Sequence, residues 1–381
     1  MKRCVAELPL HTGKAPSWLF RRMANLAGAV TMAVVDTNGP EEMLRRLADP
    51  WWFQAFGCVL GFDWHSSGLT TVTCGALKEA QRLFGDDLGI LAAGGKGGTS
   101  RRTPSEIEAA ADRHGISSGD QLIIASRMSA KVDSAAVQDG YQVYHHSFFF
   151  SHGGAWCVVQ QGMNQTSGWA RRYHWLSQTV EDFVCEPHAA IHDGAARKTP
   201  TSILNMVAEE GQANRDASAK VSQMNPDWVM DELRRITEGP TLFAPAQHPV
   251  RHGDISPEHL QRAVRAAHEQ QPQDFAELLG TRGVGPAAVR SLSLLAEIIY
   301  DAPPSHRDPA EAPLSEPSHP IKRWADYSYA HGGKDGTPFP VDCETYDRNI
   351  HLLIDAVRQA RVGDTEKTDA LRRLAEVAGR G

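Results

Sequence analysis

Tyr141-Gln-Val-Tyr-His-His-Ser-Phe-Phe-Phe150 and Ala155-Trp-Cys-Val-Val-Gln-Gln161, joined by Ser151-His152-Gly153-Gly154, decide how the chain is read. Both flanks are rich in β-branched and aromatic residues, and the link between them carries two glycines. The spacing predicts a hairpin of strands over 142–150 and 155–161. Working outward toward the N-terminus, 57–62 and 88–92 read as further strands, and 41–47, 77–83, 104–114 and 121–136 as helices. The start of the third helix is the clearest, with Thr103 to cap it, Pro104 at its first position and Glu106 in its first turn. This alternation predicts an α/β or α+β domain over residues 1–210, expected to be the catalytic one.

Beyond about residue 200 the strand signals fade, and 211–301 read as a mainly α-helical region. Ser256-Pro257-Glu258 opens a helix running to about Gln270 by the same cap-and-proline logic. Residues 302–320 hold six prolines and read as a linker or surface wrap. Within 321–381 an irregular stretch gives way to helical spacing from Tyr346, expected to pack back on the body.

Composition narrows the function classes. The chain has 381 residues, 41% hydrophobic and 22% charged, with nine Trp and twelve Phe, which excludes disorder over most of its length. Its longest apolar run, Leu26 to Val35, is interrupted by Thr31 and falls well short of the about twenty residues needed to cross a bilayer. Neither a membrane partner nor a secretion signal is expected. Six cysteines without CxxC spacing fit reduced thiols and a cytoplasmic location. The formal charge of −7 argues against a nonspecific polyanion binder, yet it is an average. Positions 95–102 carry Lys96, Arg101 and Arg102 and no acidic residue, so a local basic groove is compatible with it.

The most specific motif lies in 274–300. Asp274 to Gly280 reads as a short helix, Gly283-Val284-Gly285 as a tight hairpin, and Pro286 as the first residue of a second helix. Two glycines let the backbone approach a phosphate closely, and the free amides of the second helix's first turn add positive charge there. Val284 is expected to plug the hairpin against its helices. The segment resembles the helix-hairpin-helix motif of repair and recombination proteins, which implies sequence-independent DNA binding through Arg282, Gly283, Val284 and Gly285. Acidic neighbours outnumber arginines across 255–300, so this contact alone would be weak.

Two other segments suit phosphate. Gly94-Gly95-Lys96-Gly97-Gly98 follows a strand and precedes the 104–114 helix, a geometry that can cradle an anion, but it is neither a Walker A loop nor GxGxxG. Trp169-Ala-Arg171-Arg172-Tyr173-His174-Trp175 interleaves arginine with aromatics, as a single-strand clasp does, or else starts a Trp-anchored helix. Chemistry is expected at Asp63 and His65, read as following the 57–62 strand, and at Asp133, Asp139, His145 and His146. Adjacent histidines on a strand point to opposite faces, so one of the pair can join Asp139. Asp63, Asp133, Asp139 and His146 are the expected ligands of Mg²⁺ or Mn²⁺, ions that orient water and neutralise phosphoryl charge. The order of elements is loosely like the restriction-endonuclease core, but Gln160-Gln161-Gly162-Met163 stands where that core carries Glu-x-Lys.

Long stretches resemble the domain of unknown function 763 family. These are Lys2-Arg3-x-x-Ala6-Glu7-Leu8-Pro9-Leu10-His11-x-Gly13-Lys14-Ala15-Pro16, Gly94-Gly-Lys-Gly97, Val132-Asp133-Ser134-Ala135-Ala136-x-Gln138-Asp139-Gly140-Tyr141, Tyr144-His-His146, Val158-Val-Gln-Gln-Gly-Met-Asn164, Ala170-Arg-Arg-Tyr-His-Trp175 and Ala330-His-Gly-Gly-Lys-Asp-Gly336. The resemblance spans nearly the whole chain and implies a DNA-processing protein. The function expected is a metal-dependent nuclease hydrolysing phosphodiesters of single- or double-stranded DNA in repair or processing. Lys96, Arg101, Arg102, Arg171 and Arg172 would neutralise the backbone, and self-association stays open. The alternatives are a non-enzymatic DNA-binding accessory protein and a glycosylase-like enzyme, for which Asp301 is the nearby acidic candidate.

Overall fold

The hairpin sits in the middle of a sheet. The computed structural model describes residues 2–4, 8–10, 17–62, 66–192, 203–238, 257–311, 354–359 and 363–378. Its strands are β1 (Lys2–Cys4), β2 (Leu91–Lys96), β3 (Val137–Gln138), β4 (Gln142–Phe150), β5 (Trp156–Asn164), β6 (Trp169–Leu176), β7 (Ala190–His192) and β8 (Leu204–Asn205). The main sheet has the order β1-β7-β6-β5-β4-β2 and is antiparallel except where β1 joins β7 in parallel; β3 and β8 form a separate pair.

Helices cover both faces. The first group is α1 (Ser17–Asn38), α2 (Pro40–Ala48), α3 (Pro50–Val59) and α4 (Gly68–Phe84). The second is α5 (Thr103–His114), α6 (Gly119–Lys131), α7 (Gln212–Ser222), α8 (Pro226–Glu238), α9 (Pro257–Gln270), α10 (Phe275–Gly280) and α11 (Pro286–Tyr300). A last helix, α12, spans Asp364–Ala378.

Strand periodicity divides the core. Successive side chains of a strand face opposite ways. Phe148 and Phe150 therefore join a cluster with Trp156, Val158 and Trp175 that runs through α5, α6 and α8–α11. Phe149 joins Cys157, Val159 and Leu176 in a second cluster against α1–α4, which also takes in Val357 and Ala370. All three phenylalanines are fully buried, each contributing roughly 2–3 kcal/mol of apolar transfer. The first cluster extends without a break from Leu91 to Leu295, so helices on both sides of residue 210 share one core.

Several local expectations are corrected. Residues 57–59 end α3 and are not a strand. Asp49 caps that helix, its Oδ1 accepting from the Trp51 and Trp52 amides at 2.9 and 3.2 Å, and Pro50 takes the first helical position. A short apolar run has no period that separates helix from strand, and the cap upstream decides. The 88–92 strand moves to β2, because Gly94, Gly95 and Lys96 pair with Ser147, His146 and His145. Residues 169–175 form β6 inside the sheet, neither a helix start nor an exposed clasp. Of the proline-rich stretch, 302–311 is packed on the body, with Ala302, Asp308 and Ala310 buried. Residues 312–320 lie outside the described residues.

Candidate functional site

Two of the carboxylates expected to bind metal, Asp133 and Asp139, are internal structure. Asp133 lies in a π-helical turn (Val132–Ala136) that ends α6 and is fully buried. Its Oδ1 accepts from His188 Nε2 at 2.6 Å, and its Oδ2 from Gln160 Nε2 at 2.5 Å and Trp175 Nε1 at 2.9 Å. Gln160 Oε1 in turn accepts from His146 Nδ1 at 2.9 Å, and Ser126 donates to His146 Nε2 at 3.0 Å. Both ring nitrogens of His146 are thus engaged in a neutral imidazole, whose pKa burial lowers.

Asp139 is also fully buried and takes Arg171 Nη1 at 2.8 Å, Tyr173 Oη at 2.7 Å and the Tyr141 amide at 3.1 Å. Burial pushes its carboxyl up, against Arg171 and Tyr173. Arg171 bridges to Asp308 at 3.2 and 3.1 Å, which ties the proline-rich stretch to the sheet. Proton donors occupy the carboxylates of Asp133 and Asp139, and a guanidinium lies against the second. This set does not fit a divalent cation. Asp63 and His65 lie outside the described residues, and the Gly61-Phe62 step before them follows α3.

Arg171 and Arg172 correct a second expectation. The sequence reading puts both on a DNA-facing surface, but they are 2% and 0% exposed. Being neighbours on β6, they enter opposite faces of the sheet. Arg172 donates to Gln54 Oε1 at 3.0 Å, Thr70 Oγ1 at 3.1 Å, His174 Nε2 at 2.8 Å and His192 Nδ1 at 2.6 Å, and its guanidinium lies 4.6 Å from the Phe53 ring centroid. Their charges organise the interior.

The accessible site lies at the β2 edge. A cleft of about 800 Å³ opens between α4 and the β2–β4 pair, lined by Thr71, Cys74, Lys78, Arg82, Gly94–Lys96, Thr99, Arg113, His145 and Ser147. That volume suits a small-molecule or oligonucleotide segment. An edge strand exposes unpaired backbone groups, and here side chains satisfy them. Gln81 Oε1 accepts from the Ala92 amide at 2.9 Å and Glu106 Oε2 from the Gly94 amide at 2.8 Å. Lys78 donates to the Gly94 carbonyl at 2.7 Å and to Glu106 at 2.5 Å. Gly94 is required: its φ is +86° and a Cβ would stand 2.3 Å from the His146 carbonyl oxygen.

The charge of the cleft is positive. Lys78, Arg82, Lys96 and Arg113 line it against one lining carboxylate, Glu79, which pairs with Arg82 at 2.6 Å. Among the described residues Lys96 and Arg113 have no carboxylate partner, and Lys96 Nζ stands 5.7 Å from the Tyr144 ring centroid. Arg101 and Arg102 are exposed on the 3₁₀ turn Gly97–Arg102 that continues the glycine loop. His145 is 1% exposed, bonds Ser147 Oγ through Nε2 at 3.0 Å, and has no partner for Nδ1 among the described residues. Burial, with smaller contributions from His146 and Lys96, lowers its pKa to about 3, so the ring is neutral. Burial likewise raises Cys74 to about 12, so it lines the cleft as a thiol and not as a nucleophilic thiolate.

The Gly283-Val284-Gly285 segment lies in the turn between two helices. Between α10 and α11 the chain turns through Gly283, whose φ is +92°, with Arg282 exposed and Val284 1% exposed in the core cluster as the plug. Lys131 donates to the Val284 carbonyl, and Gln138 Nε2 donates to the Pro286 carbonyl at 2.9 Å. These bonds dock the turn on the end of α6. Lys78 and Arg113 escape the sequence reading because each is one position on an amphipathic helix. Only the placement of α4 and α5 beside β2 turns them toward one cleft.

No curated protein and no solved structure matches the chain. The family model described as Protein of unknown function (DUF763) matches residues 4–341, and the chain, with its glycine-loop cleft and internal Asp–His–Arg networks, belongs to that family.

Proposed function

We propose that this protein binds the phosphodiester backbone of DNA in the β2–α4–α5 cleft, as a DNA-processing protein, with the α10–α11 turn as a second backbone contact. The supporting observation is the cleft itself, where Lys96 and Arg113 lack carboxylate partners among the described residues and stand beside a glycine loop. Phosphate contacts of this kind position a duplex or strand without reading its sequence. A reducing, DNA-containing compartment such as the cytoplasm fits four free cysteines among the described residues and the absence there of any helix long and apolar enough to cross a membrane. Fluorescence anisotropy with labelled single- and double-stranded oligonucleotides between about 50 and 200 mM salt tests the reading. Lys96→Ala combined with Arg113→Ala should lower the log–log salt slope by about two. An unchanged slope, or no binding at the lowest salt, refutes it.

One observation favours a second reading, phosphodiester hydrolysis at the same place. His145 lines the cleft, and its neutral, buried Nδ1 has no hydrogen-bond partner among the described residues, so it can accept a proton from a hydroxyl that reaches it, although burial makes it a weak base. His145→Ala should then abolish cleavage while leaving binding intact. If DNA is bound but never cut with Mg²⁺, Mn²⁺ or Zn²⁺ present, binding alone stands.

A further inference from the structure

At the far end of α5 three ligand-type side chains from three separate elements converge. Asp86 comes from the 3₁₀ turn that follows α4, His114 is the last residue of α5, and His152 is the tip of the β4–β5 turn. One ligand atom from each lies within 4.8 Å of the others. His114 Nδ1 and Asp86 Oδ1 are 3.5 Å apart, and the His114 and His152 rings meet edge-on with centroids 5.1 Å apart. Bonds of about 2.0–2.1 Å in a tetrahedron put donor atoms roughly 3.4 Å apart, so the first pair already has that spacing.

Two observations argue against a chance meeting. The His152 turn is held from both sides: Ser151 Oγ donates to Glu41 Oε1 at 3.2 Å on α2, and Gly154, with φ +85°, lies so close to Ser118 that a Cβ would stand 2.6 Å from its Oγ. His114 also ends a helix, where the negative end of the dipole favours a cation. Asp86 alone would give His114 an adequate partner, and the second imidazole is surplus to a helix end.

We propose that Asp86, His114 and His152 form a divalent transition-metal site of the zinc class, two imidazoles and one carboxylate with solvent filling the open position. Two nitrogens and one oxygen suit Zn²⁺ and do not suit Mg²⁺, which prefers an all-oxygen shell. Asp86 and His152 are exposed, which leaves an entry path. The site lies next to Arg113 of the cleft but stands independently of the DNA reading.

The test is equilibrium dialysis of the EDTA-stripped full-length protein against Zn²⁺ and Mg²⁺, with Co²⁺ absorption as a spectroscopic stand-in. One Zn²⁺ per chain is expected, with no Mg²⁺ competition. His152→Gln, at an exposed turn, should fold normally and weaken Zn²⁺ binding by at least about 100-fold, beyond the loss typical of removing a ligand's outer partner. Asp86→Asn should weaken it as well. Zn²⁺ affinity unchanged in either variant, equal displacement by Mg²⁺, or a thiolate charge-transfer band with Co²⁺ would each overturn the assignment.

Discussion

Replacing Asp133 by alanine separates a structural carboxylate from a catalytic one. The substitution strands three buried donors: His188 Nε2, Gln160 Nε2 and Trp175 Nε1, now 2.6, 2.5 and 2.9 Å from the carboxylate. A buried donor left without a partner costs about 1–3 kcal/mol, so independent losses would sum to roughly 3–9 kcal/mol. Gln160 keeps its bond to the Ser129 carbonyl at 3.1 Å, and the three donors share one cavity that water can enter. These reduce the expected cost to about 4–5 kcal/mol. Against a typical stability of about 5–15 kcal/mol, Asp133→Ala should be barely folded. Two milder variants keep the test readable. Asp133→Asn, which turns one acceptor into a donor facing other donors, should cost about 2–3 kcal/mol, and Trp175→Phe, which removes a single donor, about 1 kcal/mol. Urea unfolding of the full chain, followed by tryptophan fluorescence and far-ultraviolet circular dichroism, should rank the three in that order. Asp133→Ala within about 1 kcal/mol of wild type would refute the argument. Asp133→Ala that kept full stability yet lost DNA cleavage would restore Asp133 as a metal ligand.

Two further outcomes follow from the same geometry. His145, His146 and His174 are held neutral by burial, with pKa values below the ordinary imidazole value, His145 at about 3. For a base with a depressed folded pKa, the unfolded chain binds the extra proton. Stability is therefore full above about pH 6.5 and falls with acidification, by up to about 1.4 kcal/mol per pH unit for each such histidine until its own folded pKa is reached, which for His145 lies far below the window tested. Denaturant midpoints between pH 7.5 and 5 should show this fall, and a flat profile would count against neutral buried rings. Gly94→Ala places a Cβ 2.3 Å from the His146 carbonyl at φ +86° and should cost about 2–4 kcal/mol, whereas Gly98→Ala meets nothing within 4 Å and should stay within about 0.5 kcal/mol. Equal unfolding midpoints for the two would show that β2 is not held against β4 as described.

How far the site was legible follows from where its signals reside. The glycine loop, Lys96, His145 and the α10–α11 turn were visible because each is a local pattern: glycines before a helix, a histidine on a strand, a Gly-Val-Gly turn before proline. Arg171 and Arg172 read as a nucleic-acid clasp because a sequence shows charge and not depth. Asp133 and Asp139 read as metal ligands for the same reason, since a carboxylate's chemistry depends on whether water, a cation or three N–H groups surround it.

The sequence by itself determined the β4–β5 hairpin, the proline-marked starts of α5 and α9 and the helical character of the C-terminal half, because alternation and prolines act over a few residues. The expected Thr103 cap does not form, since Thr103 is itself the first residue of α5 and its Oγ1 donates back to the Ser100 carbonyl at 2.7 Å. Tertiary structure alone decided that β6 threads the sheet with its arginines turned inward and that α3 is a helix in place of a strand. It also decided that α4 and α5 bring Lys78, Arg113 and His145 to one cleft. The physical reason is the range of the interactions. Hydrogen-bond periodicity is local to the chain, while burial and charge pairing depend on which distant segments meet, as Asp133 meets His188 and Arg171 meets Asp308.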